Sequence, residues 1–192
     1  MDKEVRATPA WPERIIAQLD NADLRAQTLA QNLTNEQLNW RPSPQEWSIG
    51  QCLQHLVEFN REYGAAISRA LDGEHPSPVG ELKIGRVSGW FMRNYVEPGP
   101  NTRRVNSPKK IKPDTQISPS VLNDFLRSNQ QAKDLVRRAA AFNVNRIRYK
   151  NPLAPLVRFT VGVGFELTWK HELRHILQAE RVRQSPEFPS SL

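Results

Sequence analysis

An all-α fold, a four-helix bundle with long connections after its second and third helices, is what this chain of 192 residues predicts. Three observations carry the expectation. Apolar residues recur at helical spacings of three to five over four separate stretches. Helix-start residues open three of those stretches: Pro12, Ser48, and Ser118 followed by Pro119. Prolines and turn-forming polar residues gather between the stretches, where they punctuate helices without breaking them. Residues 1–192 are read as one bundle domain carrying a Pro-rich basic insertion at about 74–118.

The first helix is expected from Pro12 to about Leu33, with Ile15, Ile16, Leu19, Leu24, Leu29 and Leu33 on its apolar stripe. A polar connection, LTNEQLNWRPSPQEW, follows. Ser48 caps a second helix that runs to about Asp72 and is closed by Gly73; its inward face holds Ile49, Leu53, Leu56, Val57, Asn60, Gly64, Ile67 and Leu71. Inside the insertion one amphipathic stretch, KIGRVSGWFMRNYVE, predicts a helical turn or two. The third helix starts at Ser118–Pro119 and reaches about Phe142, with Val121, Leu122, Phe125, Leu126, Leu135 and Val136 inward. The segment from Asn143 to Gly164 mixes β-branched residues, prolines and glycines, which suits an extended loop lying on the bundle. A fourth helix is expected from about Phe165 to Gln184.

Composition narrows the function classes. With 38% hydrophobic and 24% charged residues, the chain has the make-up of a globular protein that buries a core. No apolar run reaches the roughly 18–20 residues that cross a bilayer, and MDKEVRATPAWPERII has no signal-peptide core. The single cysteine, Cys52, fits a reducing compartment. A cytoplasmic protein with no membrane partner is the expectation. Lys and Arg exceed Asp and Glu by 27 to 20, part of the excess lying in RRVNSPKKIKP, Arg103 to Pro113. That run carries no aromatic platform for single strands, and no DNA-reading motif accompanies it. Nucleic acid therefore ranks last among the partners, behind a small molecule.

Chemistry concentrates in TWKHELRHILQAERV near the carboxyl end. His171-Glu-Leu-Arg-His175 matches the H-E-x-x-H helix of zinc proteases. A protease of that type needs a third ligand; the extended pattern would place it at Arg181, with its glycine at Gln178, and neither position fits. Glu172 and His175 also form an E-x-x-H pair, but Cys52 stands three before His55, where a di-iron bundle would need a second glutamate. What survives is the pair itself. At about 100° per residue, His171 and His175 lie about 40° apart on one stripe, and imidazoles so placed can hold one cation. Gln178 shares that stripe. Lys170, Arg174 and Arg181 cluster about 60–100° to one side of His171, read as the solvent face, and Phe165, Trp169, Leu173 and Ile176 form the core stripe, with the histidine stripe beside it. A third imidazole is available from His55 in the second helix, since packed helices approach to about 8–10 Å. Three neutral imidazoles leave a fourth position open, as catalytic metal sites do. His75, after Gly73 and before Pro76, is assigned no role.

Two of these segments carry a family likeness. WSIGQCLQHLVE, from Trp47 to Glu58, resembles the signature of the DinB/YfiT-like four-helix bundles, and KHELRHILQAERV is similar to that family's last helix. The resemblance implies a divalent metal, zinc or nickel, on His55, His171 and His175, a small-molecule substrate, and often a homodimer. It further implies an enzyme: a thiol S-transferase of the bacillithiol-dependent kind, with a low-molecular-weight thiol as cosubstrate, or a metal-dependent hydrolase. Glu58, one turn from His55, and Glu172, beside His171, are the candidate bases or supporting partners; Gln178 is the candidate substrate contact. A non-catalytic stress-response module with a structural metal is the remaining alternative, and it would need a fourth ligand such as Cys52.

Overall fold

The computed structural model describes residues 10–99, 103 and 106–190. Four long helices build it: α1 (Ala10–Ala30), α3 (Ile49–Leu71), α5 (Val121–Ala139) and α6 (Val161–Arg183). Two short ones join them, α2 (Asn35–Asn39) and α4 (Arg86–Tyr95), with a 3-10 turn at Lys109–Ile111. The expected four-helix bundle is present.

Local chemistry sets the helix starts. Ser48 closes a capping box on α3: its side chain accepts from Gln51 N at 3.1 Å while the Gln51 side chain takes the Ser48 N–H. Past its other end, Gly73 adopts φ +78°, the left-handed turn that glycine enters without steric cost. Thr34 builds the same box on α2. The Ser118–Pro119 start sits two residues early, because those residues form a turn and α5 begins after Ser120.

The loop expected over Asn143–Gly164 is instead a small antiparallel hairpin. Strand β1 (Arg148–Lys150) pairs with β2 (Arg158–Thr160), with Tyr149 opposite Phe159. The hairpin hands the chain directly to α6, whose first turn is capped by the Thr160 side chain. Helix α6 therefore starts four residues before Phe165. Gly164 permits it: a Cβ there would stand 2.7 Å from Tyr149 Oη and 2.9 Å from Ile67 Cδ1.

Packing order decides what can meet. Helix α3 packs mainly on α5 and α6, and so does α1, so α1 and α3 occupy a diagonal. In a simple up-and-down bundle the second and fourth helices would be the diagonal pair. Here they are neighbours. The core falls into two apolar clusters, one around Trp11, Phe59, Tyr63 and Phe165, the other around Ala26, Leu53, Phe125 and Ile176. Both run along α3, and His55 stands where they meet. Leu24, expected inward, is 63% exposed. Its neighbours Ala22 and Ala26 fill the core there instead.

Candidate metal centre

Three imidazoles converge on one point. His55 from α3 and His171 and His175 from α6 each offer a ring nitrogen, all within 4.8 Å of one another. The His55 and His171 Nε2 atoms are 3.2 Å apart. One zinc ion with Zn–N of about 2.0–2.1 Å and tetrahedral angles would hold its nitrogens about 3.3 Å apart. Rings crowd the cluster: Trp47 lies over His55 and His175 at 4.8 and 5.5 Å, and Phe59 stacks on His171 at 4.1 Å.

Hydrogen bonds at the far side of two rings fix their tautomers. His55 Nδ1 lies 2.8 Å from the Ile111 carbonyl, an acceptor only, so Nδ1 carries the proton. His175 Nδ1 likewise donates to Gln178 Oε1 at 2.9 Å. Both Nε2 atoms then turn a lone pair toward the shared point, the arrangement that orients metal-binding imidazoles. His171 Nδ1 is buried without a hydrogen-bond partner among the described residues. Burial holds all three neutral. It pushes His55 down to about 4, and His171 and His175 well below the usual imidazole range, with the Arg174 charge adding to each shift. Three uncharged nitrogen donors with one orphaned ring atom beside them fit a divalent cation.

The cluster forms the floor of a cavity of about 420 Å³. Aromatic side chains wall it: Trp47, Phe59, Tyr63, Phe91 and Tyr95. Part of the roof comes from the 74–118 insertion, through Phe91, Tyr95 and Val96 of the α4 region and through Ser107, Pro108 and Ile111. Arg174 lines the cavity too, which corrects its placement on the solvent face. Its guanidinium donates to the carbonyls of Tyr95 at 2.6 Å and Arg103 at 3.4 Å, so the insertion covers that side of α6. Lys170 is likewise drawn in by an ion pair with Glu97, whereas Arg181 is exposed as expected.

The other candidate residues separate. Glu58 faces away from the cavity, pairs with Arg61, and lines a groove between α3 and α5. Glu172 is fully buried on the core side of α6, where Asn60 Nδ2 donates to it at 2.9 Å. Desolvation pushes its carboxyl up to about 8, so it is a neutral acid at pH 7. Neither glutamate lines the cavity, which corrects their expected place beside the cluster. Gln178 reaches His175 and is absent from the cavity lining. Cys52 is buried in the second apolar cluster with its thiol pushed up to about 12, and the histidine cluster does not include it.

Four long helices, with three clustered imidazoles opening onto an aromatic cavity, define a helical-bundle protein with a candidate metal centre. The family model of the DinB superfamily matches residues 18–179, and the chain belongs to that superfamily. Among solved structures it is similar to YfiT from Bacillus subtilis, described as a probable metal-dependent hydrolase with an unusual four-helix bundle topology. The two share 13% identity and a TM-score of 0.60, over 96% of this chain and 92% of that one. At that identity the likeness speaks for the fold. Comparison with curated proteins finds no significant match.

Proposed function

We propose that this chain is a divalent-metal-dependent enzyme acting on a small molecule, with His55, His171 and His175 as the protein ligands and thiol S-transfer as its reaction. One observation supports the ligand set above the rest: three neutral imidazoles, two held with Nε2 facing inward, open onto a cavity, and among the described residues no fourth side chain closes the group. A structural site would be closed, and the one nearby thiol, Cys52, is packed into the core. The reading includes zinc or nickel as the ion, a low-molecular-weight thiol as cosubstrate, a homodimer, a single domain over residues 1–192 and a cytoplasmic setting. Among the described residues no helix is long and apolar enough to cross a membrane.

A bound divalent ion would supply Lewis acidity, lowering the pKa of a thiol or a water held beside it. The protein's own part is arrangement. Ile111 O and Gln178 Oε1 hold two rings in register, and Trp47 and Phe59 limit how far the imidazoles can turn. The aromatic wall gives the cavity a largely apolar lining around the histidines. Among the described residues no carboxylate lines the cavity to act as a general base for a water nucleophile. That favours thiol transfer, since a thiol near the ion loses its proton more readily than water does. Hydrolysis is the second reading, supported by the resemblance to YfiT. Turnover assays on protein loaded with zinc or nickel test the choice. Electrophile consumption that requires added thiol supports transfer; consumption of esters or amides without thiol supports hydrolysis and would falsify transfer.

A further inference from the structure

One polar group in the cavity wall lacks a partner. Asn151, the residue after β1, is only 5% exposed, yet it lines the cavity beside Tyr63, Leu153 and Ala154. Its amide has a fixed orientation. Oδ1 accepts from Leu153 N at 2.9 Å, from Ala154 N at 3.3 Å and from the Tyr63 hydroxyl at 3.1 Å. Main-chain N–H groups only donate, so the oxygen must face them and a flipped amide is excluded. The main chain of Asn151 is satisfied too: its N–H donates to Val157 O, and its carbonyl accepts from Ala154 N. That leaves Nδ2, whose two N–H groups have no acceptor among the described residues. A buried donor left over in a cavity wall points to a ligand that accepts. The contacts from here reach the histidines. Tyr63 stacks on Phe59 at 4.1 Å, and Phe59 stacks on His171 at 4.1 Å.

We infer that the cavity selects ligands carrying a neutral carbonyl oxygen, which accepts from Asn151 Nδ2 while an apolar body lies along Phe59 and Tyr63. The inference deepens the proposed function by naming a feature of the substrate, and it rests on that reading only in taking the histidine floor as the reacting end. Asn151 is then a binding residue for the part of the substrate that lies away from the histidines. An apolar ligand lying over Nδ2 would strip its water and return no bond, so the wall favours a partner that accepts. Sites built to bond a polar group reject analogues lacking it far more strongly than apolar pockets reject a missing methylene. The aromatic rings beside it supply the surface for a flat body.

The test compares acetophenone with α-methylstyrene, which has the same shape with a methylene group in place of the carbonyl oxygen. Both are titrated by NMR into the full chain, isotope-labelled at asparagine and freed of metal by chelation, so that no ion can attract the oxygen. In the wild type the Asn151 side-chain amide protons are expected to move downfield with acetophenone relative to α-methylstyrene. N151D keeps an oxygen for the Leu153 and Ala154 N–H groups but turns the donor into a second acceptor. The ratio of acetophenone to α-methylstyrene affinity should therefore fall about three- to tenfold in N151D, the size of one hydrogen bond. Acetophenone that gives no saturable shift, amide protons that respond alike to both compounds, or a ratio unchanged in N151D overturns the inference. Should N151D lose its helical circular dichroism, the wild-type amide signals decide alone. Zinc uptake, measured separately on the wild type, keeps the two failures apart. Protein that favours the carbonyl through Asn151 yet takes up no zinc sinks the metal reading alone; protein that takes up zinc without this preference sinks this inference alone.

Discussion

Two faces of one helix, a single residue apart, treat buried polar groups in opposite ways. His171 and His175 point from α6 into a cavity, while Glu172 points into the packed bundle. Burial pushes both kinds of group to their neutral form. The consequences differ because neutral imidazole keeps a lone pair for a cation, whereas a neutral carboxyl has lost the charge that makes it a strong ligand or base. The same desolvation prepares one face for coordination and silences the other. Glu172 is instead part of the way the bundle is held. Asn60 bonds it and approaches Ser128 of α5, and nearby Asn129 joins α5 to Leu19 and Asp23 of α1.

The sharpest way to break this contrast is to delete one group from each face. His55→Ala or His175→Ala should reduce bound zinc or nickel from near-stoichiometric to background, read by elemental analysis of untagged protein. Glu172→Gln should leave the metal content unchanged. If E172Q lost its metal while keeping its fold, the separation of the two faces would be wrong. Next in size is the support behind His175. Gln178→Leu removes the acceptor for Nδ1–H and should weaken metal affinity about 10- to 100-fold, measured by competition with a chelator.

The core face is read through pH. Glu172 titrates near 8 when folded and near 4.5 when unfolded, so between those values the folded state holds the extra proton. Stability should therefore fall as pH rises through that window, by at most about 1.4 kcal/mol per pH unit from this group. E172Q should flatten the slope from pH 6.5 to 8 in denaturant titrations of metal-free protein. His55 acts in the reverse sense. Its folded value of about 4 lies below its ordinary 6.5, so the unfolded chain binds the extra proton and stability should fall as pH drops from 6.5 to 4. H55A should lessen that acid sensitivity. The smallest effect belongs to Cys52→Ala, which trims the core and should cost about 1 kcal/mol with no change in metal content. Metal lost from folded C52A would mean a closed four-ligand site.

The sequence pattern made the bundle and its histidines readable, because both follow from helical period. Pairs at i and i+4 stay together whatever the tertiary contacts, and a cap such as Ser48 acts within one turn. The errors came where a neighbouring segment decides. Glu58 is one turn from His55, yet the residual rotation of a three-residue step carries it toward α5. Glu172 adjoins His171 in sequence and stands about 100° around the helix from it. Arg174 looked solvent-facing from its helical phase, beside Lys170 and Arg181; the insertion through Tyr95 and Arg103 covers it. The amphipathic KIGRVSGWFMRNYVE stretch held the clue, since an apolar face in an insertion must lie on something.

The diagonal placement of α1 and α3 bears on when the site can exist. His55 must wait for His171, 116 residues further along, and among the described residues no closer side chain joins the cluster in its place. A nascent chain carrying α1 through α5 would hold one imidazole of three, too few to retain an ion against cellular chelators. Capture of metal would then coincide with the docking of α6 onto α3. An ion that binds the finished bundle and not its precursors pulls that last docking step toward completion by mass action.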